Sequence, residues 1–348
     1  MKLEIDWPEL LTISHSRLKV WRRCQMQHHY RYYQGLRRIK KGLPLVVGTA
    51  VHAMIEAHHE RGVWTPELEA FRAEFNKLFR EEQAELGDLP TATGKIVDGY
   101  LATYRDDGLT YPKRRRNRST EIEVCVDLDS QTRFIGYVDA FPQDDQGRNW
   151  VMDHKTCKNI PDEETRFADL QLLTYVWLLP QLGYPTPDGV IWDYIRTKPP
   201  TRPEVLKNGS ISKAKSIDTT YDVYMQTVRE ELGEAALPDY EEFAQTLKGK
   251  EEKFYRRIAL PHPPKVMVES VVRDIMATTA EIRFLGPNAQ VRNMTRDCKQ
   301  CSYYTICQAE VRGLDSDYIR QTEFETKEKR NVEETNDLAG TGSSGEEE

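Results

Sequence analysis

Apolar positions recur at three- and four-residue spacing through the first hundred residues, then give way to short β-branched and aromatic runs. The first regime predicts helices. One spans 14–36, with Ser14 or Ser16 able to cap its start. After a break at 42–44, a second spans 48–61, and Val47, Val51, Met54, Ile55 and His58 fall on one stripe of it. Further helices are expected over 66–86 and 94–106. The second regime opens with EIEVCVDL (121–128), TRFIGYVDAF (132–141) and NWVMDHK (149–155), separated by polar or glycine-containing turns. These read as consecutive strands of a mixed or antiparallel meander. Residues 166–182 return to helix, closed by Gly183 and Pro185, and VIWDYIRT (190–197) forms a fourth strand. An irregular segment rich in Pro, Lys and Ser follows at 198–217. Helices are expected over 218–248, broken near Pro238, and over 266–285, with a strand at 253–260 between them. There is no internal repeat.

This order predicts an α/β protein with a central mixed sheet flanked by helices. Its expected parts are an N-terminal helical section (1–110), a sheet-bearing core (111–200) and an insertion (201–265). A C-terminal helix with a cysteine-bearing lobe (266–324) and an acidic tail (325–348) complete it. The tail ends in GTGSSGEEE and has too little apolar content to fold.

Composition narrows the class. A 30% charged chain with 9% aromatic residues is that of a soluble globular protein. No stretch approaches the roughly 18–20 apolar residues of a membrane span. The opening MKLEIDWPEL lacks a basic segment followed by an apolar one, so a cytoplasmic protein is expected, with no membrane partner.

The net charge of −7 argues against a polyanion ligand until it is divided by region. Residues 331–348 hold six acids and no Lys or Arg, which accounts for nearly all of the excess. Residues 14–41 carry nine Lys or Arg and no acid, and KRRRNR (113–118) adds five basic residues in six. Local patches matter more than the total for phosphate contact. Arg22, Arg23, Arg37, Arg38, Arg114 and Arg115 are therefore the candidate nucleic-acid contacts. A basic run by itself is equally the mark of a solvated surface.

Three strands carry the candidate chemistry. The second ends in Asp139, and the third holds Asp153 and Lys155 on either side of His154. Side chains alternate along a strand, so Asp153 and Lys155 share one face and His154 takes the other. Paired strands would bring two carboxylates and an ammonium to one point. Two carboxylates offer hard oxygen ligands for Mg²⁺ or Mn²⁺. Such an ion polarises a phosphate and makes water a usable nucleophile. A nearby lysine offsets developing charge. The D-x-K tripeptide alone is also the pattern of a surface ion pair. Gln171 and Tyr175 share a face of the following helix, among leucines that build core. His52 and Glu56 share a face of the second helix, with His59 one turn on. An apolar stripe beside a lone histidine more often means packing than ligation.

Together these blocks resemble the RecB-like branch of the PD-(D/E)xK nuclease superfamily, including CRISPR-associated exonucleases and AddAB-type nuclease domains. The matching blocks are GTAVHAMIE (48–56), GYVDA (136–140), VMDHKT (151–156) and QLLTY (171–175), in the family's order. The opening SHSRLKVWRRCQMQHHYRYYQGL also looks like that family's N-terminal segment, and the resemblance covers about 14–310. It implies a PD-(D/E)xK core in which His52, Asp139, Asp153 and the His154 carbonyl hold Mg²⁺ or Mn²⁺. Lys155 would be the catalytic lysine, with Gln171 and Tyr175 beside the scissile phosphate. Glu56 and His59 lie outside the motif and are read as helix-surface residues. Glu121 and Glu123 both fall near the site, and the sequence does not choose between them.

The implied activity is hydrolysis of DNA, as an exonuclease on single strands or duplex ends, in recombination, repair or processing. No G-x-x-x-x-G-K-[ST] loop is present, so a motor would come from a helicase or recombination partner. A non-catalytic DNA-binding recombination-accessory module on the same fold is the rival reading, and oligomeric state is not legible. Cys298, Cys301 and Cys307 near the C-terminus, with Cys24 far upstream, resemble the 4Fe–4S members of this branch. Here Gln25, where those relatives commonly have proline, follows Cys24. Four thiolates also suit structural Zn²⁺. Cys125 and Cys157 are assigned no role.

Overall fold

The computed structural model describes residues 10–40, 42–112, 119–162, 164 and 169–326. The chain divides into two compact units, one of 1–41, 130–132 and 275–348, the other of 42–129 and 133–274.

The first unit opens with β1 (Leu11–Ile13), α1 (His15–Arg23), α2 (Gln25–His28) and a π-helical turn at His29–Tyr33, then β2 (Leu36–Arg38). Ser14 caps α1 by accepting from the Arg17 N–H. The single helix expected over 14–36 is therefore interrupted. Cys24 is extended (φ −166°, ψ 116°), and the Met26 N–H, freed from the helix, donates to the Val291 carbonyl instead.

In the second unit, α3 (Leu43–Arg61) starts earlier than expected because Pro44 fits the first turn, where its missing N–H costs nothing. It is followed by α4 (Thr65–Phe75), α5 (Arg80–Leu86) and α6 (Leu89–Thr103), so the helix expected over 66–86 is two. Val47, Val51, Met54 and Ile55 of α3 pack with Ile96, Val97 and Tyr100 of α6 and with Ile195, Phe254 and Tyr255. Each such buried aliphatic side chain contributes about 1.5–3 kcal/mol.

The strands follow: β3 (Leu109–Thr110), β4 (Thr120–Asp129), β5 (Thr132–Ala140), β6 (Gln143–Asp144) and β7 (Trp150–Cys157). Then come α7 (Gln171–Leu178) and β8 (Gly189–Arg196). Beyond the irregular 198–217 stretch lie α8 (Tyr221–Leu232), α9 (Leu237–Gln245) and β9 (Tyr255–Pro261). The sheet is mixed: β5 pairs with β4 and, antiparallel, with β7; β7 runs parallel to β8; and β8 pairs antiparallel with β9. Parallel neighbours require a crossover, and α7 supplies it. The central β8 is buried along nearly its whole length, which explains its unbroken apolar run.

The long helix α10 (Lys265–Leu285) leads to α11 (Tyr304–Val311), α12 (Ser316–Glu323) and β10 (Phe324–Thr326) of the first unit. There β10 pairs antiparallel with β2, so Glu325 and Thr326 are strand rather than tail. The remaining tail, 327–348, lies outside the described residues.

Gly136 on β5 is a point of close approach: a Cβ there would stand 2.8 Å from the Tyr175 hydroxyl and 3.2 Å from its ring. Tyr175 is buried and cannot swing clear. Gly136→Ala is expected to destabilise the protein by about 1–3 kcal/mol, read from denaturant unfolding midpoints. A variant as stable as the parent would mean the ring moves freely.

Candidate metal and catalytic centre

The β5–β7 pairing runs through Ala140 and Met152, and the next residues out are Asp139 and Asp153. Past that point the Asp139 side chain, not a strand carbonyl, takes up the β7 backbone: the His154 N–H donates to its Oδ2 at 2.7 Å. Alternation along β7 then presents Asp153 and Lys155 on one face. Lys155 Nζ lies 2.7 Å from Asp153 Oδ2, 3.3 Å from Asp169 Oδ2 and 3.2 Å from Gln171 Oε1. The Gln171 amide donates in turn to the Tyr175 hydroxyl at 3.2 Å, the two being one turn apart on α7.

From the α3 side, His52 Nδ1 stands 3.6 Å from Asp139 Oδ2. His52, Glu121 and Asp139 each offer a ligand atom, all within 4.8 Å of one another. The structure thus selects Glu121 rather than Glu123. Asp153 lies outside that group of three, on the Lys155 side of Asp139. Glu121 holds a positive φ of 44°, sparsely allowed for a residue with a Cβ and typical of functional positions.

The electrostatics suit a cation. Burial, reinforced by the Asp153 charge, pushes the Asp139 carboxyl up to about 7. Burial also raises Asp153 and Glu121. Burial, with His154 and Lys155 nearby, lowers His52 to about 4, leaving its ring neutral and able to ligate. Burial opposes the Lys155 charge, but Asp153 and Asp169 outweigh it and hold its pKa above the ordinary lysine range. Burial raises the Tyr175 phenol to about 12, so it stays protonated. Carboxylates that lack sufficient counter-charge, next to a neutral imidazole, form a donor set that fits Mg²⁺ or Mn²⁺.

Two residues here carry no signal in the sequence motifs. Asp169 joins Asp153 on Lys155. Asp193, fully buried, pairs with the His154 ring at 2.7 Å on the opposite face of the sheet. An acid inside the apolar run VIWDYI was the available signal, since buried charges need partners. His59 is also corrected: it is not a surface residue but stacks on Tyr111, centroids 3.7 Å apart. Burial, with His154 beside it, depresses it to about 2.

In the first unit, the candidate arginines make local contacts. Arg22 donates to the Thr278 hydroxyl, Arg23 to the Asp297 carbonyl, Arg37 to the Arg31 carbonyl, and Arg38 pairs with Glu323. Arg114 and Arg115 lie outside the described residues. Cys24, Cys298, Cys301 and Cys307 all line one cavity of about 140 Å³, together with Arg23 and Arg292. They stand apart, however: among the described residues no three of these thiols come within 4.8 Å of one another. Burial raises the Cys301 thiol, and the Thr295 N–H points at Cys298 Sγ at 3.4 Å.

A family model for the PD-(D/E)XK nuclease superfamily matches residues 12–308, spanning every element of this centre. The chain belongs to that superfamily. It is a metal-dependent nuclease by family; such nucleases bind Mg²⁺ or Mn²⁺, and His52, Glu121 and Asp139 form a group that could hold the ion. No curated protein matches the chain. Among solved structures, one titled "Crystal structure of SSO0001" is 13% identical and covers 85% of this chain and 95% of its own, with a TM-score of 0.27. So loose a superposition carries no argument. No helix among the described residues is long and apolar enough to cross a membrane.

The raised Asp139 carboxyl has a thermodynamic consequence for this nuclease. Between about pH 4, where an unfolded Asp ionises, and about pH 7, the native state keeps a proton that the unfolded chain has lost. The metal-free protein therefore loses stability as pH rises through that window. Asp139→Asn retains the acceptor for His154 and removes the charge. At pH 8 without metal it should melt at least about 2 °C above the parent, with the gap closing towards pH 4. Equal melting temperatures at pH 8 would show that burying this charge costs little.

Proposed function

We propose that the protein is a RecB-like DNA exonuclease, hydrolysing phosphodiester bonds of single strands or duplex ends during recombination, repair or processing. The observation that supports this most is the meeting of two carboxylates, the partly buried Asp139 and the buried Asp153, with a lysine that stays charged. In this reading His52, Glu121, Asp139, Asp153 and the His154 carbonyl hold the ion. When bound, Mg²⁺ or Mn²⁺ supplies Lewis-acid polarisation of the phosphate and an acidified water.

The chain's own residues then have distinct tasks. Lys155, held protonated, acts as a cation rather than a base: it orients the attacking water and offsets charge that builds on the phosphate. Gln171 is fixed between Lys155 and Tyr175, so its amide and the neutral phenol can steady a phosphate oxygen. Water attacks phosphorus and the leaving oxygen departs, with no covalent enzyme intermediate. Arg22, Arg23, Arg37 and Arg38, with Arg114 and Arg115, hold the strand electrostatically, so binding weakens with salt. A helicase or recombination protein supplies any motor.

The four cysteines carry a 4Fe–4S cluster in this reading. What supports it is the resemblance of this one-plus-three cysteine arrangement to the 4Fe–4S members of the RecB-like branch, together with the fact that all four line one cavity. Structural Zn²⁺ is the alternative that four thiolates also suit.

End-labelled single- and double-stranded DNA, incubated with Mn²⁺ or Mg²⁺ and anaerobically purified protein, tests the activity. Metal-dependent ladders are expected from the parent, with at least about a hundredfold loss in Lys155→Ala. DNA binding without cleavage by the parent would favour the accessory-module reading. The cluster has its own readout: iron with a broad band near ~400 nm is expected. Stoichiometric zinc without iron would replace the cluster with a structural zinc site.

A further inference from the structure

Behind the catalytic face, the sheet registers place His154 of β7 beside Asp193 of β8, and Asp193 opposite Arg257 of β9. Three ionisable side chains thus form one row across three strands, on the face away from Asp153 and Lys155. The row is tightly bonded. His154 Nδ1 meets Asp193 Oδ2 at 2.7 Å, and the Tyr100 hydroxyl donates to the same oxygen at 2.5 Å. Arg257 Nε lies 3.4 Å from Asp193 Oδ1, and an Arg257 Nη2 donates to the Tyr100 hydroxyl at 2.8 Å. Arg257 is in turn fixed by an ion pair with Asp107 and by the Tyr104 ring, 3.7 Å from its guanidinium carbon.

Such a row is costly to bury. Asp193 is fully buried and His154 is 5% exposed. Charges in that setting lose solvation that their pairing restores only with good geometry, and apolar residues of similar volume stabilise a core at least as well. Stability therefore does not account for the row, whereas position does. His154 is the residue whose backbone N–H grips Asp139, between Asp153 and Lys155. A ring bonded to Asp193 sets where that backbone sits.

We infer that the His154–Asp193–Arg257 ladder, closed by Tyr100, is a positioning device that holds the β7 backbone so that Asp139, Asp153 and the His154 carbonyl keep their places around the ion. The inference rests on the nuclease reading above. Asp193, Arg257 and Tyr100 touch none of the reacting atoms; they act through His154. Outer partners of this kind typically govern metal affinity by about 10- to 100-fold.

The test uses Asp193→Asn, which keeps shape and removes charge, and Tyr100→Phe, which removes one hydroxyl. Calorimetric titration with Mn²⁺ alone should show about 10- to 100-fold weaker binding in folded Asp193→Asn, with a smaller loss of the same kind in Tyr100→Phe. Steady-state cleavage should show kcat reduced and KM for DNA unchanged, a split that general loosening of the fold would not produce. Parent-like Mn²⁺ affinity and kcat in the folded variants would overturn the inference. Should Asp193→Asn fail to fold, the Mn²⁺ affinity of Tyr100→Phe decides by the same criterion. Should the parent bind Mn²⁺ but cleave no DNA, the nuclease reading falls while the titration still decides the role of the ladder.

Discussion

Two acids set side by side, Asp153 buried and Asp139 partly so, repel each other and lose hydration, and the second unit is organised around that pair. Asp139 and Asp153 stand just beyond the last paired residues of β5 and β7, where the sheet no longer supplies backbone partners. Asp139 answers by accepting the His154 N–H, and Asp153 by taking Lys155. One ammonium cannot balance two carboxylates as well as Glu121 and Asp169, so the centre retains an appetite for positive charge. That residual need is what a divalent cation meets.

The same strand serves two purposes on its two faces. Facing the carboxylates, β7 presents Asp153 and Lys155; facing the opposite side, it presents His154 to Asp193. Burial alone would neutralise the His154 ring, yet Asp193 and Asp139 raise its pKa. Burial would likewise protonate Asp193, yet Arg257 and His154 lower it. Glu121, at positive φ, shows local strain beside His52 and Asp139, a conformation that the surrounding structure has to sustain.

The first unit solves a different problem. Its core of Met26, Tyr30, Leu36, Tyr303, Ile306 and Phe324 is small and joins segments far apart in sequence. Closing so long a loop is entropically unfavourable. The β2–β10 ladder and the Tyr303 hydroxyl donating to the Leu36 carbonyl tie the segments together beside the cysteine cavity. A group bridging Cys24 to Cys298, Cys301 and Cys307 would add a covalent tie to the same closure.

Much of this was legible in the sequence because it depends on local periodicity. The alternation in VMDHK fixes which face each of Asp153, His154 and Lys155 takes, whatever the rest of the chain does. The i, i+4 spacing of Gln171 and Tyr175 does the same on α7. The apolar stripe of α3 located its buried face correctly, though not its first residue. What sequence could not decide depended on distant partners. Glu121 and Glu123 lie two positions apart on the same strand, and only the folded chain brings Glu121, at its reversed φ, within ligand reach of His52 and Asp139. Asp193 reads as an oddity in an apolar strand until the parallel register sets it against His154. His59 reads as surface until Tyr111 is folded over it. The break at Cys24 has no proline or glycine to announce it, because its cause is a carbonyl at Val291, more than two hundred residues away. Periodicity is a property of neighbours along the chain; the pairing of charges is a property of neighbours in space.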